Sequence, residues 1–137
     1  MTGGQLAFDS RDQPLVRRRV AVIGAGSWGT ALAGLVARNA DVVVWALEAE
    51  IVVSINERHV NDVFHPGVPL PECVTPTDDV ATAAAGAEVI VLGTPTQFTR
   101  GVLRQLVASV ARQTPALVPG GPDHDPGRGL PPWVVPL

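Results

Sequence analysis

The chain has 137 residues, one domain's worth, of which 46% are hydrophobic and 17% charged. That is enough apolar material to bury a core, and it excludes a charge-driven disordered chain. A formal net charge of −3 gives no electrostatic case for nucleic acid or an anionic membrane as partner. With a single cysteine, Cys73, neither an intrachain disulfide nor a cysteine metal cluster can form, so a reducing, cytoplasmic setting is expected.

Met1 to Arg19 reads as an irregular leader, with Gly3, Gly4, Pro14 and scattered charge. Val20 to Ala37 then runs 18 residues without a charge, preceded by Arg17, Arg18 and Arg19. Length alone admits a membrane span or a signal peptide. The run contains Gly24, Gly26, Gly29 and Gly34 and no long Leu/Ile block. Its pattern also switches from strand-like to helix-like at the glycines, so no membrane segment is expected.

Val20 to Ile23 is a β-branched run stopped by Gly24, which predicts a buried strand. Ser27 to Asn39 has apolar residues at Ala31, Leu32, Leu35 and Val36, a helical spacing, and Asp41 to Trp45 predicts a second strand. Together these make a βαβ unit. Glu48 to His59 reads as a second helix. Asn61 to Thr77 is punctuated by proline and is expected to be loop with short extended pieces. Thr77 is the expected cap of a helix that opens with Asp78 and Asp79, runs to Ala85 and stops at Gly86. Glu88 to Gly93 predicts another strand. Phe98 to Gln113 predicts a helix with Val102, Leu103, Leu106, Val107 and Val110 on one face. Strands alternating with helices imply an α/β fold, a doubly wound parallel sheet of Rossmann-like type, over residues 20–118.

The stretch "GAGSWG", Gly24 to Gly29, fits G-x-G-x-x-G. Gly24 allows a sharp turn out of the strand. Gly26 leaves room for a pyrophosphate to approach the backbone, and Gly29 allows close packing of the helix. The following helix N-terminus offers free N–H groups and partial positive charge to phosphates. Bare, the motif is weak; between a strand and a helix, with a second strand after it, it has the context a dinucleotide cradle requires. Glu48 stands 19 residues beyond Gly29, after the second strand, where an acid can meet the adenosine ribose hydroxyls. It would repel a 2′-phosphate, which favours NAD over NADP. The alternative is that Glu48 caps the next helix. Asp41 lies at the wrong end of its strand for the ribose.

On these residues the chain resembles the N-terminal domain of NAD(P)-dependent glycerol-3-phosphate dehydrogenase. The resemblance rests on "VAVIGAGSWGTALA" with Trp28 inside the glycine motif, on "VVVWALE", on "NDVFHPGVPLP", and on "EVIVLGTPTQFTRGVLRQL". It implies reversible hydride transfer between nicotinamide and dihydroxyacetone phosphate or glycerol 3-phosphate, feeding glycerophospholipid synthesis. Carried over by motif position, Gly24, Ser27, Trp28 and Gly29 would hold the pyrophosphate. Pro95 would shape the turn under the nicotinamide half, and Phe64 and Phe98 would be apolar walls of the cofactor cleft. The alternative for both phenylalanines is core packing, and Trp28 is expected to wedge beside the glycine turn in either case. Leu47 stands where many bacterial members carry an arginine suited to a 2′-phosphate, which again points to NAD.

After "ALV" the family continues with a Lys-Gly segment and a helical substrate domain. This chain instead reads "ALVPGGPDHDPGRGLPPWVVPL", and all ten of its basic Lys/Arg residues are arginine. Six of its 13 prolines lie in this stretch. Residues 119–137 are expected to be a disordered tail, with the substrate domain absent, as in a truncated or frame-shifted reading. No catalytic residue is assigned, and the chain alone is expected to be inactive. His124 between Asp123 and Asp125 is read as a solvated cluster and not a metal site. His59 and His65 have no evident nucleophilic arrangement, and Cys73 has no activating partner. Two other readings use the same cradle: a stand-alone NAD-binding or regulatory module, and the cofactor domain of a dehydrogenase for hydroxy acids or UDP-sugars. The "NDVFHPGVPLP" and "GTPTQF" segments favour the glycerol-3-phosphate family over the last. A homo-oligomer or a partner chain supplying the substrate domain stays open.

Overall fold

Alternating β-branched residues build the centre of the molecule. In the computed structural model the described residues are 17–94, 96–110, 114–117 and 134–136. The elements run β1 (Arg18–Ile23), α1 (Ser27–Val36), β2 (Ala40–Trp45), α2 (Ala49–Arg58), β3 (Val60–Asn61), β4 (His65–Pro69), β5 (Val74–Thr77), α3 (Val80–Ala84), β6 (Val89–Leu92), α4 (Thr96–Val107), β7 (Pro115–Leu117) and β8 (Val134–Pro136).

The main sheet has the order β5-β2-β1-β6-β7-β8, with β5 to β7 all parallel and β8 antiparallel at one edge. In β1 the side chains of Val20 and Val22 enter one core, with Ala33 of α1, Ala37 just after it, and Ile51 and Ile55 of α2. Ala21 and Ile23 enter the other, with Val80 and Ala83 of α3 and Val102 and Leu106 of α4. Successive strand residues point to opposite faces, so a continuous apolar run is what a sheet covered on both faces needs. Ile23, Ile51, Ile55, Ile90 and Leu106 are fully buried, each worth about 1.5–3 kcal/mol of transfer from water. The doubly wound architecture is therefore as the sequence implies, and the uncharged run from Val20 to Ala37 is a strand, a turn and a 10-residue helix. No helix among the described residues is long and apolar enough to cross a membrane.

Several boundaries differ from expectation for local reasons. The first strand starts at Arg18, inside the expected leader, and Arg17 clamps the neighbouring elements. Its guanidinium donates to Asp41 Oδ1 at 2.8 Å and to the carbonyls of Ala37 and Ala40 at 2.7 and 2.8 Å. The bond to Asp41 raises its pKa above the ordinary value. A cation on these carbonyls suits the end of α1, which stops at Val36 and not at Asn39. The proline-punctuated segment holds three strands, and Val74–Thr77 joins the main sheet beside β2. Pro76 is tolerated because β5 is an edge strand, where a missing N–H need not break the ladder. The last described helix begins at Thr96, two residues before the expected Phe98, and ends at Val107; Val102 and Leu106 are buried but Val107 is 61% exposed. Three residues of the tail expected to lack structure, Val134–Pro136, pair with β7; residues 118–133 and 137, including His124, lie outside the described set.

The cap of α3 is Asp79, not Thr77. The Asp79 carboxylate accepts from the Thr82 hydroxyl at 2.6 Å and the Thr82 amide at 3.2 Å. The hydroxyl bond chiefly holds its pKa below the usual carboxylate value. Thr77 instead accepts from the Asp79 amide. Gly86, at φ +71, follows the helix as the stop the sequence implies.

The glycines separate into two kinds. A Cβ on Gly29 would lie 2.0 Å from the Gly24 carbonyl oxygen, whereas one on Gly34 would meet only Leu70 Cδ2 at 3.4 Å. Gly29→Ala is expected to lose more than about 3 kcal/mol, because backbone cannot give way as a side chain can. Gly34→Ala should be neutral or gain up to about 1 kcal/mol from helix propensity. Urea denaturation of the two variants checks both; equal stability would contradict the packing described. For Asp79 the folded pKa is depressed, so its stabilisation is present above the unfolded value of about 4 and is lost as pH falls through the lower folded value. Asp79→Ala should be less stable than the parent at pH 7. The gap should close in the same titration at acid pH below that window; a gap independent of pH would remove the capping role.

Candidate dinucleotide site

The strand order reverses between β1 and β6: the chain leaves β1 for β2 and β5 on one side and passes to β6 and β7 on the other. The carboxyl ends of such a pair form a crevice open to a ligand. Here both ends are glycine. Gly24 donates its N–H to the Trp45 carbonyl at 3.0 Å, and Gly93 donates to the Ile23 carbonyl at 2.8 Å. Gly24 has φ +120, a conformation open to glycine, and its Cβ would lie 2.8 Å from the Gly93 carbonyl carbon. A Cβ on Gly93 would in turn meet the Gly24 oxygen and Gly29 Cα, each at 3.3 Å. Gly24, Gly29 and Gly93 thus interlock backbone to backbone. Gly93 was legible only as a strand end; its signal was a glycine directly after β6, at the same height as the one after β1.

Gly26 differs from these three. It is the N-cap of α1, with φ −71, and a Cβ there would meet nothing within 4 Å. The first helical bond runs from the Thr30 amide to the Gly26 carbonyl, 2.9 Å, so the amides of Ser27, Trp28 and Gly29 have no intrahelical acceptor. Open space beside a helix N-terminus is what a pyrophosphate needs. The residues present therefore fit the phosphates of a dinucleotide, and the space is what a side chain at Gly26 would fill.

The other residues singled out from sequence are found in different states. The Ser27 hydroxyl donates to the Phe64 carbonyl at 3.1 Å, so the hydroxyl is engaged while the amide is not. Trp28 is 50% exposed. Phe64 and Phe98 are 40% and 57% exposed, which removes the core-packing alternative for both. Pro95 lies outside the described residues. Glu48 occupies the N-cap position of α2, but its side chain makes no capping bond and is exposed. Its carboxylate is therefore not committed to the helix, and Leu47 beside it is 74% exposed. Asp41 is at the far end of β2 in an ion pair with Arg17.

One residue went unassigned from sequence. Asn61 is fully buried under the glycine turn. Its amide NH2 donates to the Ala25 carbonyl and to Thr30 Oγ1, both at 2.8 Å; its oxygen accepts from the Val63 and Phe64 amides at 3.2 and 3.1 Å. The signal was an asparagine three residues before an aromatic, a spacing that lets one side chain close a turn on itself. A groove of about 390 Å³ also opens between α1 and β4, lined among others by Leu35, Arg38, His65 and Val68; it contains none of the interlocked glycines or Gly26.

Residues 19–119 match the family model described as NAD-dependent glycerol-3-phosphate dehydrogenase N-terminus. The chain belongs to this family. It is 43% identical over 105 residues to a glycerol-3-phosphate dehydrogenase of the NAD(P)+ type from Parvibaculum lavamentivorans, covering 76% of this chain and 31% of that relative. It is 48% identical over 89 residues to one from Geobacter sulfurreducens, covering 64% and 27%. The crystal structure of glycerol-3-phosphate dehydrogenase from Coxiella burnetii superposes with a TM-score of 0.70 at 28% identity, over 77% of this chain and 32% of that one. The chain thus spans about a third of the length of these relatives.

Proposed function

We propose that this chain is the cofactor-holding part of an NAD-dependent sn-glycerol-3-phosphate dehydrogenase. The observation that carries the reading is Gly26: open space at the N-terminus of α1, beside three glycines whose backbones interlock at the sheet's switch point. The pyrophosphate would lie on the amides of Ser27, Trp28 and Gly29, with Glu48 at the adenosine ribose and the rings of Phe64 and Phe98 beside the cofactor. When bound, the nicotinamide supplies hydride exchange with a carbonyl carbon, here that of dihydroxyacetone phosphate, in the supply of glycerol 3-phosphate to glycerophospholipid synthesis. The family relationship supports this substrate, and the single cysteine is consistent with a reducing, cytoplasmic setting. The chain's own residues bind and orient the dinucleotide. Stabilising the developing oxyanion and holding the substrate phosphate fall to groups from elsewhere, supplied by another part of the enzyme or a partner chain.

Three measurements test the reading. In a fluorescence titration with NADH, Gly26→Val should abolish binding while leaving the melting temperature close to the parent's, since the added side chain meets only open space. Binding equal to the parent's would refute the cradle. NADH should bind about tenfold tighter than NADPH, because a 2′-phosphate beside the Glu48 carboxylate is repelled by roughly 1–2 kcal/mol; Glu48→Gln should narrow the difference. Equal dissociation constants in the parent would dismiss Glu48 as the selector. Finally, the chain, which has no lysine, should not oxidise NADH with saturating dihydroxyacetone phosphate, since loss of an electrostatic stabiliser alone costs about 10²–10³ in turnover. A rate near 10 per second, roughly that of an ordinary enzyme, would place a complete catalytic site within these residues.

A further inference from the structure

Phe64 is held at both polar atoms of its main chain. Its N–H donates to Asn61 Oδ1, and its carbonyl accepts from the Ser27 hydroxyl, each at 3.1 Å. Asn61 is at 0% exposure and has both donors and both acceptor positions engaged, the donors on Ala25 and Thr30 and the acceptor on Val63 and Phe64. Thr30 closes the network by donating its own hydroxyl to the Ala25 carbonyl at 3.2 Å. Ala25 and Ser27 are the two residues that flank Gly26. The turn that carries Phe64 is therefore fastened to the residues on either side of the phosphate shelf, while Phe64 itself is 40% exposed and not part of a buried core.

We propose that Asn61 and Ser27 are positioning residues that clasp the Phe64 turn to the glycine turn and so preset the cleft for the dinucleotide. This rests on the dinucleotide reading above. A buried, fully satisfied amide tolerates little movement, because any shift leaves a buried donor or acceptor unpaired. The clasp thus fixes where an exposed ring stands before ligand arrives, and a ring already in place need not be ordered at the cost of binding energy. It also gives the Ser27 hydroxyl a partner other than phosphate: in this arrangement the hydroxyl shapes the cleft wall, and only the Ser27 amide faces the shelf.

The test is a double-mutant cycle on the 137-residue chain, read by NADH titration, melting temperature and amide hydrogen exchange at Phe64. Ser27→Ala, which removes only an exposed hydroxyl bond, should weaken NADH about fivefold. In the Phe64→Ala background the same change should alter affinity less than about twofold, because the ring it positions is gone. Exchange at the Phe64 amide should accelerate in Ser27→Ala, and more so in Asn61→Ala where that protein folds. Equal weakening with and without Phe64→Ala would mean that the hydroxyl meets the cofactor directly, and would overturn the clasp. Unchanged exchange at Phe64 in Ser27→Ala would overturn it whatever the cofactor does. A parent that binds NADH with Ser27→Ala unaffected removes the clasp and leaves the dinucleotide reading standing. A parent that binds neither NADH nor NADPH removes that reading, and the proposal with it.

Discussion

The contact between the Gly24 carbonyl and Gly29 governs the functional end of the molecule. A Cβ on Gly29 would sit 2.0 Å from that oxygen, so the first turn of α1 lies directly against the turn that ends β1. No side chain separates the two backbones. That approach aims the α1 N-terminus along the crevice between β1 and β6. It also fixes the position of Gly26, where an added Cβ would meet nothing within 4 Å. Gly93 completes the arrangement from β6, because a Cβ there would meet both Gly24 and Gly29 at 3.3 Å. Two adjacent parallel strands therefore end at one height, in backbone only.

The rest of the fold supplies rigidity to that end. The two cores on either face of the sheet draw on alternate residues of the same strands, so neither face can shift without the other. At the opposite end of β2, Arg17 ties the carbonyls of Ala37 and Ala40 to Asp41. Near the crevice the short β3–β4 ribbon has little core of its own: its residues between His65 and Pro69 are mostly exposed. A polar network centred on Asn61 takes the place of packing there. Such a network is specific where apolar packing is not, since it is satisfied in one geometry.

This division explains the mixture of exposed and buried groups around the crevice. Trp28, Phe64 and Phe98 are large apolar side chains left exposed, while the polar Asn61 and Thr30 are buried. In a self-contained core the reverse would hold.

Much of this was legible in the chain by itself. The β-branched runs at Val20, Asp41 and Glu88, the helical spacing after Ser27, and "GAGSWG" between strand and helix determined the doubly wound class and the family, because periodicity and glycine placement are local and read directly. The proline-rich stretch read as loop with short extended pieces, and one such piece, Val74–Thr77, joins the main sheet; that it pairs there, with Pro76 beside Val44, was not legible because an edge strand needs only one ladder. The capping of α3 by Asp79 rather than Thr77 turned on a two-residue difference in where the helix starts, which propensity does not resolve. Gly93 against Gly24, and Asn61 against Ala25 and Thr30, join residues 31 to 69 positions apart, while Asn61 against Phe64 closes a local turn. No local pattern encodes such distances. Only the packed sheet, by bringing the ends of β1 and β6 together and folding the Asn61 turn back over α1, decided which glycines touch and which one faces the open shelf.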